Sequence, residues 1–114
     1  MKILVIHIFH VHENAAITGA KLAERVRLVA AERGVKLEVF IFGAAIAALV
    51  DPAQTEFRDA LAALAQQKVP VLVCRQTVEM MGKAEMITKL GLGLEYARDA
   101  FIRYALENAT VISL

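Results

Sequence analysis

The sequence predicts an α/β protein, a three-layer α/β/α sandwich with a largely parallel sheet of about five strands. Two observations indicate this fold class. Apolar runs of strand length alternate with longer amphipathic stretches along the 114 residues. The first run, KILVIHIF at Lys2–Phe9, is almost continuously apolar, which is typical of a strand covered on both faces. Strands separated by helices form βαβ units with right-handed crossovers, and such units build parallel sheets.

The stretch after the first strand predicts a helix from about Ala15 to Arg33. Asn14 is a plausible N-cap for this helix, and Gly34 stands at the usual position of a C-terminal glycine. Three apolar residues should share one face of the helix: Leu22, Val26 and Val29.

The middle of the chain predicts a strand, a helix and another strand. KLEVFIF at Lys36–Phe42 is the second strand, and Gly43 closes it. Asp51–Gln54 is the clearest helix start, with an Asp N-cap, a proline at the first helical position and a glutamine three residues after the cap. Pro70 opens the third strand, PVLVC, where proline is tolerated as the first residue. The helix should end near Gln67, with an apolar face formed by Phe57, Leu61 and Leu64.

The pattern after the third strand is less regular. A short helix is predicted within Thr77–Lys83, and MITKLGLG is predicted to be a short extended segment. A final helix should span about Leu94 to Glu107, followed by Asn108 in the left-handed conformation and by the closing strand TVISL. One side of this helix should carry Leu94, Ala97, Phe101 and Ala105.

Composition and charge exclude several classes of protein. Thirteen basic and twelve acidic residues are scattered along the chain without a basic tract, so we expect no nucleic-acid partner. The longest apolar run, Val39–Val50, is too short to cross a bilayer, and His7 and His10 interrupt the N-terminal run, which argues against a signal peptide. A single cysteine is compatible with a reducing cytosol. We expect one domain, residues 1–114, in the cytoplasm and without a membrane partner.

The hydrophobic fraction of 58% is high for so short a chain, because a domain of this size exposes much of its surface. Burial against identical copies is the simplest explanation, so we expect a homo-oligomer. The alternative is that the many alanines raise the fraction without forming patches. Tyr96 and Tyr104 are expected to pack against a neighbouring subunit, and three methionines should fill the core or an interface: Met80, Met81 and Met86.

Chemistry in parallel α/β folds gathers at the carboxyl ends of the strands. Here those ends are His10–Asn14, Gly43 and the stretch that begins at Cys74. The cysteine is either a buried structural thiol or a reactive one. Its place at a strand end and a helix start near Thr77 favour a lowered thiol pKa. Positive charge could come from Arg75 and Lys83, although Lys83 could instead pair with Glu79.

Two histidines should leave the sheet after the first strand. His10 and His12, with Glu13 and Cys74, could bind zinc or another divalent metal. We favour the interpretation that both are solvated loop residues and that His7 packs within the strand. In a third interpretation, His10 or His12 acts as the base for the thiol of Cys74. No glycine-rich phosphate loop, acidic phosphoacceptor site or nucleophilic serine elbow is present, so we expect no cofactor.

The ordered set of motifs resembles the DsrE family of small, Rossmann-like α/β proteins, including its YchN-like and TusD-like members. The resemblance rests on VPVLVC followed by Gly82, on LEVFIFGAAIAAL, on the short KLGLG segment and on the terminal TVISL strand. It implies a homotrimer, a hexamer or a mixed ring. It also implies that Cys74 carries a persulfide. Some YchN-like members have a second cysteine where this chain has Thr77, so an internal disulfide is excluded.

The leading hypothesis is a sulfur-relay protein in which Cys74 accepts sulfane sulfur from a protein donor and passes it to an outside acceptor. Arg75 would stabilise the thiolate, and His10 or His12 would serve as its base. The alternative is a non-catalytic oligomeric binding module with an inert cysteine, holding a metal or small ligand near His10 and His12.

Overall fold

The computed structural model describes residues 1–114 and contains one five-stranded sheet. The strands lie in the order β4-β3-β2-β1-β5, and every neighbouring pair is parallel. Their bounds are β1 Lys2–Ile8, β2 Val35–Ile41, β3 Val71–Cys74, β4 Gly93–Glu95 and β5 Thr110–Ser113. The predicted α/β fold with a parallel sheet of about five strands is confirmed.

Six α-helices connect the strands. One-turn 3₁₀ segments flank α1, at His12–Asn14 and Ala31–Arg33. No helix combines the length and the apolar character needed to cross a bilayer. The helices are α1 Ala15–Ala30, α2 Ala44–Val50, α3 Thr55–Gln66, α4 Arg75–Met80, α5 Ala84–Lys89 and α6 Ala97–Leu106.

The helices α1 and α6 cover opposite faces of the sheet. Ile8 of β1 lies beside Gly19 of α1, whereas the preceding residue, His7, contacts Phe101 of α6 with ring centroids 5.0 Å apart. Consecutive residues of a strand point to opposite faces, so the two helices belong to different layers. The register pairs His7 with Phe40, and Phe40 with Leu72, so all three side chains point to the α6 face. Cys74 is two residues after Leu72 and therefore lies on the same face.

The buried face of α1 consists of small residues, and of the three residues predicted to form its apolar face only Val26 packs against the core. Leu22 is exposed, and Val26 and Val29 are only partly buried. A β-carbon at Gly19 would lie 3.0 Å from the Ile8 side chain, so the helix lies too close to the sheet for larger residues. The face is formed by Ala16, Gly19, Ala20, Ala23 and Ala30.

Two helix starts differ from the predictions. Asn14 stands at the N-cap position of α1, but it is left-handed and its side chain makes no capping hydrogen bond. The helix predicted to start at Asp51–Pro52 starts at Thr55 instead. The Asp51 carboxylate accepts the Ala53 N–H at 2.9 Å and stabilises a turn before the helix. The predicted apolar face of α3 is confirmed as buried: Phe57, Leu61 and Leu64.

The last third of the chain contains one helix more than the sequence predicted. The first half of MITKLGLG, predicted to be extended, belongs to α5, and only its last residue, Gly93, lies in the strand β4 that pairs with β3. Leu94 belongs to that strand, so α6 begins three residues later than expected. Asn108 has the predicted left-handed conformation, with φ of 54°. Tyr104 was predicted to face a neighbouring subunit, but it is buried within its own core because α6 turns it toward β2.

Candidate functional site

Cys74 is the last residue of β3 and the N-cap residue of α4, which begins immediately after it. Its side chain is 3% exposed, and it lies at the floor of an open cavity of about 620 Å³. Its walls are formed by Phe42, which follows β2, by residues along the length of α4 and by Tyr96–Arg98 at the start of α6. The strand end, the helix start and the cysteine therefore lie at one site, as predicted. The helix begins at Arg75, two residues earlier in the sequence than predicted.

Competing effects act on the Cys74 thiol. Burial is the largest effect and raises its pKa, but donors around the sulfur lower it further than burial raises it. These donors are the backbone N–H groups of Thr77, Ala97 and Gln76, and the Thr77 hydroxyl, whose oxygen lies 3.8 Å from Sγ. The net pKa of the thiol therefore lies below its ordinary value. The first-turn N–H groups of α4 have no partner within the helix, so they are free to interact with a thiolate.

Arg75 turns away from the sulfur. Its guanidinium donates to the Leu94 carbonyl at 3.4 Å and lies 3.7 Å from the Glu79 carboxylate. It is not among the groups that lower the thiol pKa. Glu79 thus pairs with Arg75, and the predicted Glu79–Lys83 pair is wrong because the helix ends at Met80, before Lys83 can complete the turn.

The rim of the cavity is aromatic and basic. The centroid of the Tyr96 ring lies 6.0 Å from the guanidinium carbon of Arg75 and 5.3 Å from that of Arg98. Met80 is 80% exposed on the opposite wall, so it does not fill the core. Tyr96, Arg98 and Met80 all line the cavity that contains Cys74.

The histidines lie apart from this cavity. His7 is buried, with Nδ1 3.1 Å from the Ser113 hydroxyl and no partner for Nε2. Burial, with a smaller effect from the charge of His10, lowers the pKa of His7. The rings of His10 and His12 lie 4.8 Å apart, and neither lines the Cys74 cavity. No group of three or more His, Cys, Asp or Glu residues is arranged to hold a metal ion.

A partly buried ion-pair cluster beside the site was missed by the sequence analysis. Glu38 of β2 is buried and accepts hydrogen bonds from Arg103 at 2.8 and 3.3 Å and from the Tyr104 hydroxyl. Arg103 also donates to Glu95 at 2.8 and 3.2 Å. Burial and the Glu38 carboxylate raise the pKa of Tyr104, which therefore stays protonated as a donor. The one signal in the sequence was a charged residue, Glu38, inside the apolar run LEVFIF.

Several solved structures share this fold. The MTH1491 protein from Methanobacterium thermoautotrophicum, described as of unknown function, is 19% identical, with a TM-score of 0.76 and full coverage of both chains. BT1422 from Bacteroides thetaiotaomicron, also described as of unknown function, is 18% identical, with a TM-score of 0.74 over 96% of this chain and 94% of that one. YchN from E. coli is 16% identical, with a TM-score of 0.70 over 100% and 99%.

No curated protein matches the sequence. A family model does, and it spans nearly the whole chain, from residue 2 to residue 114. The chain belongs to the DsrE/DsrF-like family.

Proposed function

We propose that the protein is a sulfur-relay protein in which the Cys74 thiolate accepts sulfane sulfur and passes it to the cysteine of another protein. The observation that carries the proposal is the lowered pKa of a thiol at the floor of an open cavity. Membership of the DsrE/DsrF-like family supports the same role. A structural thiol in an apolar core would have the opposite shift, because burial alone raises a thiol pKa.

The chemistry needs only thiol exchange. The Cys74 thiolate attacks the sulfane sulfur of a donor persulfide, R–S–SH. A new bond forms between Sγ and that sulfur, the donor S–S bond breaks, and the donor leaves as a thiolate. An acceptor thiolate then attacks the outer sulfur, and Cys74 leaves as a thiolate. No oxidant or reductant is consumed. A low pKa assists both steps, because it supplies the nucleophile in the first and the leaving group in the second.

Because the chain has a single cysteine, the acceptor of the sulfur must be another molecule. Cys74 is the only cysteine, and Thr77 occupies the next turn of the helix with its hydroxyl near Sγ. A persulfide on Cys74 cannot be resolved into an internal disulfide, so the outer sulfur must leave to an external acceptor. Because the side chain is 3% exposed, donor and acceptor must present their sulfur on a projecting group that enters the cavity.

The test is the intact mass of the protein after exposure to a sulfane donor such as polysulfide. We expect wild type to gain the mass of one sulfur atom, to lose it on addition of a thiol, and to transfer it to an added acceptor thiol. Cys74→Ser should gain nothing. Wild type that stays unmodified, under conditions that label an established persulfide carrier, contradicts the proposal.

We further propose that the protein acts as a homo-oligomer, a trimer or a hexamer, as the family resemblance implies. The support is apolar surface on α6 and on the edge strand β5. Ile102 and Leu106 are 59% and 80% exposed, and Val111 and Ile112 are also exposed. Light scattering coupled to size exclusion should give a mass several times 12.5 kDa. Ile102→Glu with Leu106→Glu should reduce that mass, whereas Leu28→Glu on α1 should not. A monomeric wild type contradicts this assembly.

A further inference from the structure

The donors around Cys74 differ in how they are held. Thr77 and Gln76 belong to α4, which continues directly from Cys74, so the chain itself keeps their N–H groups near the sulfur. Ala97 is the first residue of α6, and tertiary packing places it beside Cys74 in the lining of the same cavity, where its N–H acts on the sulfur. Its N–H has no partner within the helix, because the first N–H groups of a helix never do. The contacts that hold the start of α6 in place therefore determine how close the Ala97 N–H lies to the Cys74 sulfur.

The ion-pair cluster around Arg103 holds the start of α6. Glu95 stands opposite Cys74 in the register of β3 and β4, two residues before Ala97. Arg103 follows Ala97 on the same helix and donates to both oxygens of Glu95, at 2.8 and 3.2 Å. The same guanidinium donates to Glu38 of β2 at 2.8 and 3.3 Å. Ala97 thus lies between Glu95 and Arg103, which are hydrogen-bonded to each other. Arg103 is also bonded to Glu38 on β2, the strand on the other side of β3.

We propose that Arg103 is a positioning residue for Cys74: by bridging Glu38 and Glu95 it holds the Ala97 N–H against the sulfur. Its part in sulfur transfer rests on the function proposed above, but its effect on the thiol does not. Arginine fits this role because its planar guanidinium makes two hydrogen bonds to each of the two carboxylates, a geometry that a lysine ammonium cannot reproduce. Arg103 does not touch the sulfur and lies outside the cavity wall.

The experiment measures the pH dependence of Cys74 alkylation in the folded protein. The midpoint of the profile reports the thiol pKa, and the plateau at high pH reports access to the sulfur. For Arg103→Lys and Glu95→Gln we expect the midpoint to rise, so that the rate at pH 7 falls roughly threefold while the plateau is unchanged. Merely loosened packing would raise the plateau and leave the midpoint in place, which would overturn the proposal.

Two further variants make the test specific. Ala97→Pro removes the N–H itself at a helix position that tolerates proline, after a residue that is already extended, with ψ of 134° at Tyr96. If Arg103 acts through this N–H, Arg103→Lys adds no further midpoint shift in the Ala97→Pro background. Arg27→Lys is the matched control, because Arg27 makes a two-bond pair with Glu24, at 2.6 and 3.0 Å, on α1. It should leave the midpoint unchanged.

The outcomes separate this inference from the proposed function. If wild type takes up no sulfur and the midpoint still moves with Arg103→Lys, the relay fails and the positioning role stands. If wild type takes up sulfur and neither Arg103→Lys nor Glu95→Gln moves the midpoint, the positioning role fails. Should Arg103→Lys not fold, Glu95→Gln alone decides, because it keeps Arg103 paired with Glu38. Additive shifts in the Ala97→Pro background also overturn the inference.

Discussion

Cys74 and His7 are both ionisable residues buried on the α6 face at the carboxyl ends of strands, yet their surroundings differ. Around Cys74, backbone N–H groups and a hydroxyl stabilise the charged form, and the thiol pKa falls despite burial. Around His7 lie aromatic rings, and burial lowers the pKa of the imidazole, which favours its neutral form. These rings belong to Phe9, Phe40, Phe42 and Phe101.

The difference shows that strand-end position does not by itself make a reactive group. Burial disfavours charge at both sites, and only convergent donors reverse its effect. At Cys74 the donors come from two helix starts, α4 and α6. At His7 the single polar partner is the Ser113 hydroxyl, and Nε2 has none. The surroundings of Cys74 thus favour the thiolate, whereas His7 is part of the packed core.

The largest expected effect comes from opening the aromatic cluster around His7. Phe40→Ala removes a fully buried ring that contacts His7, and it should reduce the free energy of unfolding by roughly 3–5 kcal/mol. Water that enters the space should also raise the His7 pKa toward its ordinary value. Phe57→Ala on α3 is the matched control, because it deletes an equally buried ring far from His7. Urea unfolding at pH 7 and pH 5 checks both effects. Equal pH dependence in the two variants would contradict the cluster's role.

The pH dependence of stability gives the next effect. The folded-state pKa of His7 lies below its unfolded value of about 6.5, so the unfolded chain binds more protons as the pH falls. Stability should therefore be constant above that pH and decrease as the pH falls through it toward the folded pKa. His7→Phe should remove this decrease, and at pH 7 it should cost about 1 kcal/mol, because the hydrogen bond between Nδ1 and the Ser113 hydroxyl is lost. His12→Phe, at an exposed position, should retain it. An unchanged acid-side decrease in His7→Phe is the contrary result.

Much of the fold could be predicted because its signals are local. Apolar runs predicted β1, β2, β3 and β5, whereas β4 was not located, and the predicted apolar face of α3 is buried at Phe57, Leu61 and Leu64. The face of α1 could not be predicted from apolarity, because distance between helix and sheet decides it. Gly19 and its alanine neighbours allow close approach, and Leu22 is left outside. The start of α6 was misplaced because Leu94 fits a helical pattern but is paired in β4.

The candidate site was predictable only in part for the same reason. Cys74 and the helix start beside it are neighbours in the chain, so the sequence located them together. The Ala97 N–H comes from another element, and backbone donors leave no mark in a sequence. Glu38 and Arg103 are 65 positions apart, so their pairing is a property of the fold. Arg75, the obvious cation in the sequence, turns to Leu94 and Glu79 because the helix directs its side chain away from the cavity floor.

The smallest expected effect tests the donors at Cys74 one at a time. Thr77→Val removes the hydroxyl near Sγ and keeps both the backbone N–H and the shape of the side chain. We expect the thiol pKa to rise slightly and the alkylation rate at pH 7 to fall about twofold, since a neutral hydroxyl at 3.8 Å from sulfur is a weak donor. Thr77→Ser, which keeps the hydroxyl, should match wild type in the same assay.

This comparison separates the hydroxyl from the backbone. If Thr77→Val lowers the rate as strongly as Ala97→Pro does, the hydroxyl and not the N–H groups dominates the thiolate environment. The difference between the two sites would then depend on the Thr77 hydroxyl alone. That would weaken the contrast, because His7 also has a hydroxyl partner, that of Ser113. A twofold effect or less leaves the N–H groups as the main reason why the sulfur at the end of β3 ionises easily and the imidazole at the end of β1 does not.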